Sequence, residues 1–147
     1  MSKLIITSLT TVLISLSLQL FAKDIHDPVA FIKKMPYQQA VKELALSRCL
    51  SQVSDSDKTF SIDAARTANA IRDWIPFDIE SGDDKINALI DKFKARTNEF
   101  HSESETNSQG VTLNCLRLYH SPELDDLSRT LIVGNPNHSW ETDNPHK

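Results

Sequence analysis

One apolar pattern near the middle of the chain constrains the fold more than any other feature. It recurs at i, i+3, i+4, i+7, i+11 and i+14, and its members are Ile86, Leu89, Ile90, Phe93, Thr97 and Phe100. This spacing lies on one face of a helix with a period of 3.6 residues. Asp83 and Asp84 would occupy its first turn, where the helix dipole favours acidic side chains, and Ser81 would be its cap. The pattern predicts a helix with one buried side.

Two more helices are predicted before this one. Residues 37–53 carry apolar residues around most of the helical surface, which indicates a central helix packed on several sides. A second helix is predicted to start at Ser61 and to stop at Pro76, with Trp74 on its buried face.

Two further helices are predicted after it. One covers residues 111–120, and the other has Ser121 as its N-cap, Pro122 at its first position and Leu124 on its buried edge. Only three glycines occur in the chain, and no set of segments alternates as strands do. We therefore predict an all-α fold, a compact bundle of about five helices with one disulfide.

The first 22 residues have the layout of a secretory signal peptide. Lys3 gives a positive start, residues 4–18 carry no charge, and Ala22 precedes Lys23 and Asp24. The apolar run is shorter than the roughly 20 residues that a membrane helix needs. We predict cleavage after about Ala22 and export to the periplasm, with an uncleaved anchor as the alternative. The predicted parts are a signal peptide (1–22), a helical domain (23–133) and a polar C-terminal tail (134–147).

The chain has two cysteines, Cys49 and Cys115. In an exported protein an even, well-separated pair is typical of a structural disulfide. The bond would join the first predicted helix to the fourth, and two buried thiols that never meet are the alternative.

Charge and motifs exclude several function classes. Without residues 1–22, 15 basic residues (16 less Lys3) face 20 acidic ones, a net charge of −5, which disfavours a nucleic-acid partner. No catalytic motif, metal-ligand spacing or cofactor loop is present in the sequence. The paired carboxylates Asp83-Asp84 and Asp125-Asp126 fit first helical turns without catalysis. We predict a binding protein that is not an enzyme and uses no cofactor or metal.

Two segments are candidates for partner binding. The polar stretch from residue 101 to 110 could project as a recognition loop. The alternative is a solvent-exposed loop that binds no partner. In the tail, Trp140 lies on no periodic face, so it either folds back onto the bundle or forms part of a contact surface. The candidate residues are His101, Glu103, Glu105, Asn107 and Trp140.

Two cysteine-bearing segments resemble a known family. They are Leu44-Ala45-Leu46-Ser47-Arg48-Cys49-Leu50 and Cys115-Leu116-Arg117-Leu118-Tyr119-His120-Ser121-Pro122-Glu123-Leu124. Both are similar to segments of the immunity proteins that neutralise type VI secretion amidase effectors, in particular those of the fourth amidase family. The tail at residues 137–144 is similar to that of some members.

The resemblance implies a periplasmic, helical homodimer that binds a peptidoglycan amidase effector and covers its active site. Such an inhibitor needs no reactive group. The family's paired cysteines correspond to Cys49 and Cys115. Two other hypotheses stay open from the sequence: a structural or stress-related periplasmic helical protein, and an inhibitor of lysozyme-type hydrolases.

Overall fold

A computed structural model describes residues 27–54, 57–96 and 110–146 of the chain. The chain divides into two units, Met1–Phe31 and Ile32–Lys147. In the first unit, the described residues form a turn in which the Ala30 amide donates to the Asp27 carbonyl at 3.1 Å. The helical bundle belongs to the second unit. The predicted signal peptide and its cleavage site lie outside the described residues.

The described ranges contain seven helices. They are α1 Ala30–Lys34, α2 Tyr37–Val53, α3 Lys58–Arg72, α4 Gly82–Lys94, α5 Val111–Tyr119, α6 Pro122–Thr130 and α7 Trp140–Asp143. Five of them, α2 to α6, correspond to the predicted helices, whereas α1 and α7 are short. Extended pairing within the same ranges is limited to a single antiparallel bridge between Phe77 and Ile132. The predicted all-α class is confirmed.

Helix α2 is the centre of the bundle, since it contacts α3, α4, α5 and α6. Its side chains at Ala40, Val41, Leu44 and Ala45 are completely buried. Apolar residues surround most of this helix because its neighbours cover it on several sides, as its sequence predicts.

The predicted disulfide is present and joins α2 to α5. The Sγ atoms of Cys49 and Cys115 are 2.03 Å apart, and their Cα atoms are 5.6 Å apart across 66 positions of sequence. Both residues are completely buried. The bond thus crosses the middle of the core.

The start of α3 differs from the prediction. The helix begins at Lys58, because the Asp57 carboxylate accepts the Phe60 amide at 3.1 Å and caps it. Ser61, the expected first residue, lies one turn inside the helix, where its hydroxyl donates to the Ser51 carbonyl at 2.8 Å. Ser and Asp both favour helix starts, and a contact to α2 engages the serine instead.

The end of α3 also differs. The helix stops at Arg72, four residues before Pro76. A proline ring clashes with the carbonyl four residues earlier, so the helix cannot continue past Arg72 in regular form. Trp74 therefore lies in the following turn, where its amide donates to the Ile71 carbonyl at 3.1 Å. It is half-buried rather than part of the core, which corrects the prediction.

The two later helix starts differ in how they are capped. At α4, Ser81 is the N-cap residue as predicted, but its hydroxyl donates to Asp78 at 2.7 Å and makes no cap hydrogen bond to the helix. At α6, the Ser121 hydroxyl accepts the Leu124 amide at 3.1 Å, and the predicted cap is confirmed.

A shared carboxylate ties three helices together. Asp83 in the first turn of α4 lies 2.8 Å from Arg48 of α2 and 2.8 Å from Arg72 of α3. One acidic residue at a helix N-terminus therefore serves both the helix dipole and two ion pairs.

Across the described ranges, none of the helices has the length and apolar character that crossing a bilayer requires.

Candidate partner-binding surface

The C-terminal tail runs across the start of α2. The Tyr37 amide donates to the His138 carbonyl at 2.7 Å, and the Gln38 amide donates to the Pro136 carbonyl at 2.9 Å. The first amides of any helix have no partner within the helix. Pro36 precedes α2 and has no side chain that could accept them. The tail carbonyls therefore cap the central helix.

Side chains reinforce this backbone contact. The Tyr37 hydroxyl donates to Asp143 Oδ2 at 2.9 Å, and His138 Nδ1 lies 2.7 Å from Asp143 Oδ1. Asp143 is held in α7, whose start is capped by the Ser139 hydroxyl accepting the Thr142 amide at 3.1 Å. The tail is thus attached to α2 through both backbone and side-chain groups.

The surroundings of Tyr37 and Asp143 shift the pKa values of both side chains. Burial and the neighbouring Asp143 carboxylate raise the pKa of Tyr37 to about 12. Hydrogen bonds from His138 and Tyr37 hold the pKa of Asp143 below its ordinary value. At neutral pH the phenol is therefore neutral and donates, while the carboxylate is ionised and accepts.

Trp140 opens α7 and packs against Trp74. The two ring centroids are 5.2 Å apart with planes at 89°, an edge-to-face arrangement that aromatic quadrupoles favour. The Lys33 ammonium lies 4.3 Å from the Trp74 ring centroid and 5.4 Å from that of Trp140. This is within the range of a cation–π interaction.

A pocket of about 420 Å³ opens beside the two indole rings, and we call it the tryptophan pocket. Ile75, Pro76 and Val133 give it an apolar part. Its remaining walls are two tryptophans, one tyrosine, two carboxylates and a carboxamide, from Trp74, Trp140, Tyr37, Asp73, Asp143 and Asn144. Val133 is 70% exposed, so the apolar part faces solvent.

The structure places one of the five predicted contact residues, Trp140, on this pocket. The other four, His101, Glu103, Glu105 and Asn107, lie outside the described residues.

Both flanks of that segment are described. Asn114 is completely buried, and its side-chain Nδ2 donates to the Arg96 carbonyl at 2.9 Å. The Arg117 guanidinium donates to Asn114 Oδ1 at 3.2 Å. The residues just after α4 and the first turn of α5 are therefore joined by a half-buried polar contact.

Sequence reasoning missed Tyr37, His138 and Asp143 as partners. Their contacts join positions about a hundred residues apart, which no local pattern encodes. A weaker signal for α7 was available, because Ser139 followed by Glu141 and Asp143 is typical of a helix start.

Metal and thiol chemistry have no visible basis in the part of the chain that the structure describes. No group of three His, Cys, Asp or Glu side chains there could hold a metal ion. Both cysteines of the sequence are in the disulfide.

The comparison with protein families decides the assignment. The family model described as type VI secretion system (T6SS) amidase immunity protein, Tai4, matches residues 39–128, which is more than half of the chain. The chain belongs to the Tai4 family of amidase immunity proteins. It is thus an immunity protein against an amidase effector, and an inhibitor rather than an enzyme. The resemblance in the two cysteine-bearing segments is confirmed.

Two solved structures are similar to this Tai4-family chain. One comes from work on new type VI-secreted toxins and self-resistance proteins in Serratia marcescens; it is 76% identical, covers 81% of this chain and 93% of its own, and has a TM-score of 0.75. The other, from the Tae4/Tai4 effector–immunity system of Salmonella typhimurium in a selenomethionine variant, is 24% identical. It covers 68% of this chain and 93% of its own with a TM-score of 0.59, and shows the fold alone. The search of curated proteins gives no match.

Family membership favours the immunity hypothesis over a structural protein or a lysozyme-type inhibitor. The partner is a cognate amidase effector. The disulfide fits an oxidising compartment, and together with the family it indicates the periplasm.

Proposed function

We propose that the protein protects its producing cell by covering the active-site cleft of a peptidoglycan amidase effector. The family match over residues 39–128 carries this proposal. Occlusion needs no chemistry from the inhibitor. Both cysteines are held in a buried disulfide, which fits a purely steric mechanism.

The proposed contact surface combines the segment with His101, Glu103, Glu105 and Asn107 and, separately, Trp140. The hydrogen bond from Asn114 to the Arg96 carbonyl supports the first part, because it fixes the two flanks of that segment to each other. A segment with fixed ends loses less conformational entropy on binding than one with free ends. Its glutamates suit a basic rim on the amidase.

The first experiment is co-purification of residues 23–147 with the cognate amidase effector, followed by a peptidoglycan-cleavage assay. A stable complex with abolished cleavage is expected. The absence of a complex, with cleavage unaffected, would refute the proposal.

Charge reversal tests the contact segment. The variant Glu103→Lys, Glu105→Lys should bind the amidase at least tenfold more weakly in calorimetry, because like charges then face each other. The matched control is Glu80→Lys, Asp91→Lys, which reverses two exposed acidic residues elsewhere. Unchanged affinity in the first variant would move the contact to another surface.

We also propose cleavage after Ala22 and a homodimer in which each subunit contributes to binding one toxin. N-terminal sequencing of the periplasmic form should begin at Lys23, and a retained Met1 would contradict cleavage. Light scattering after size-exclusion chromatography should give twice the mass of residues 23–147, and a monomer mass would contradict the dimer.

A further inference from the structure

The tryptophan pocket has a distinctive charge. Two carboxylates, Asp73 and Asp143, are among the nine described residues that line it, and none of the nine is a lysine or an arginine. The lining therefore contains two acidic side chains and no lysine or arginine to balance them. A pocket with this lining favours a cationic group.

The two carboxylates differ in how they are engaged. Asp143 already accepts from Tyr37 and lies beside His138, so it is fixed in position. Asp73 is exposed, and its carboxylate has no hydrogen bond or ion pair to any other described residue. Asp73 is thus the group in the pocket that remains available to an incoming cation.

The indole rings themselves accept cations in this structure. Lys33 places its ammonium 4.3 Å from the Trp74 centroid and 5.4 Å from the Trp140 centroid. Both indole rings also line the tryptophan pocket, whereas Lys33 does not. Part of each ring therefore faces the pocket. A second cation would therefore meet both aromatic surface and the Asp73 carboxylate.

The dimensions suit a side chain carried on a protein surface. The volume of about 420 Å³ is within the range of small-ligand pockets, and it exceeds what a guanidinium and its methylene stem occupy. Arginine fits better than lysine, because its planar group stacks on aromatic rings and pairs with a carboxylate through two parallel donors.

We propose that the tryptophan pocket binds an arginine side chain on the surface of the cognate amidase effector, with Asp73 as its ionic partner and Trp74 and Trp140 as its aromatic walls. The identity of the partner rests on the proposed function, whereas the preference for a cation rests on the pocket.

The pocket can be tested without the amidase. The chain has two tryptophans, and both line this pocket, so their indole N–H signals in NMR spectra report on it alone. N-acetyl-arginine amide at millimolar concentration should shift both signals, whereas N-acetyl-citrulline amide, a neutral analogue of similar size, should not.

Two variants locate the effect. Asp73→Asn should weaken the arginine-amide shift at least threefold. Glu141→Gln is the matched control, because Glu141 is an exposed carboxylate in α7 that does not line the pocket. Equal shifts with the citrulline amide, or no shifts with either probe, would overturn the proposal. A response to N-acetylglucosamine oligomers but not to the arginine amide would overturn it in favour of a saccharide site.

Calorimetry with the amidase completes the test. Asp73→Asn should bind at least tenfold more weakly than wild type, and Glu141→Gln should bind like wild type. If wild type and Asp73→Asn bind equally, this inference fails and the proposed function stands. If wild-type protein does not bind the amidase, the proposed function fails and the probe titration alone decides whether the pocket takes cations. The Asp73 side chain is exposed, so we expect Asp73→Asn to melt at the wild-type temperature. That result will show that the variant is folded.

Discussion

Tyr37 connects the core, the central helix and the tail. The residue is only 3% exposed, its backbone amide donates to the His138 carbonyl, and its hydroxyl donates to Asp143. Ionising the phenol would place two negative charges side by side. The side-chain part of the attachment of the tail therefore depends on the phenol proton, whereas the two backbone hydrogen bonds do not.

The pKa of Tyr37 gives a prediction at high pH. A folded-state pKa of about 12 lies above the ordinary value of about 10 for tyrosine. The stabilisation that this raised pKa reflects is therefore fully present below pH 10 and is lost as the pH rises towards 12. The difference in 295 nm absorbance between wild type and Tyr37→Phe should give a curve with its midpoint near 12.

Asp143→Asn serves as the control for that titration. Removing the carboxylate should lower the Tyr37 midpoint only part of the way towards 10, because the neighbouring negative charge is gone but burial, the largest cause of the raised pKa, remains. A wild-type midpoint already at 10 would contradict the hydrogen bond.

For Asp143 itself the sign is opposite. Its lowered pKa favours the folded state above the ordinary carboxyl range, and this contribution to stability is lost as the pH falls through the lowered pKa.

Between α3 and α4, backbone packing determines how the elements meet. The bridge between Phe77 and Ile132 is flanked by hydrogen bonds from the Asp78 amide to Leu131 at 2.9 Å and from the Val133 amide to Pro76 at 2.8 Å. Phe77 is buried there, and its ring lies against Gly82, the first residue of α4. A side chain at Gly82 would have its Cβ 2.6 Å from Phe77 Cζ.

Gly82→Ala should therefore destabilise the protein by about 1–3 kcal/mol, the usual cost of overpacking. Alanine is otherwise the better helix former by up to about 1 kcal/mol, so intrinsic propensity alone predicts the reverse sign. Denaturant unfolding measures the difference. In a Phe77→Leu background the smaller side chain relieves the contact, and the cost of the same change should disappear. A stabilised Gly82→Ala single variant would contradict the close approach.

Local patterns predicted which helices exist better than where they begin and end. The periodicity around Ile86 and the pair Ser121-Pro122 are local signals, and both helices are present. However, α4 ends at Lys94, before the predicted members Thr97 and Phe100. The start of α3 required a choice between Asp57 and Ser61, and a contact to Ser51 in another helix decides it. The position of Trp74 depends on where the helix stops before Pro76. The start of α3 thus depends on a tertiary contact that the sequence does not display. The stop before Pro76 is a local effect, and the prediction placed it four residues too late.

At the scale of the whole unit from Ile32 onward, the disulfide is the main long-range constraint. Its predicted pairing followed from cysteine count and export alone. The tryptophan pocket could not be predicted in the same way, because Tyr37, Trp74 and Trp140 come from three distant parts of the chain and meet only when the tail docks.

Removing the disulfide should cost up to about 4 kcal/mol, the loop-closure entropy that a loop of this length loses in the unfolded state. For Cys115→Ser we expect the melting temperature of the oxidised protein to fall by about 10 °C or more. Calorimetric melting checks this. A reducing agent should lower the wild-type value similarly and leave the variant unchanged. Equal melting temperatures for oxidised wild type and variant would contradict a stabilising bridge.

The capping of α2 by the tail has a consequence for chains that are cut short. Protein synthesis proceeds from the N-terminus, and the acceptors for the Tyr37 and Gln38 amides arrive only with residues 136 and 138. A chain stopped before Pro136 would contain every long helix and both cysteines, yet its central helix would fray at the first turn. Frayed backbone is where proteases cut first. Full-length and truncated chains should therefore differ in protease sensitivity at one place, the first turn of α2.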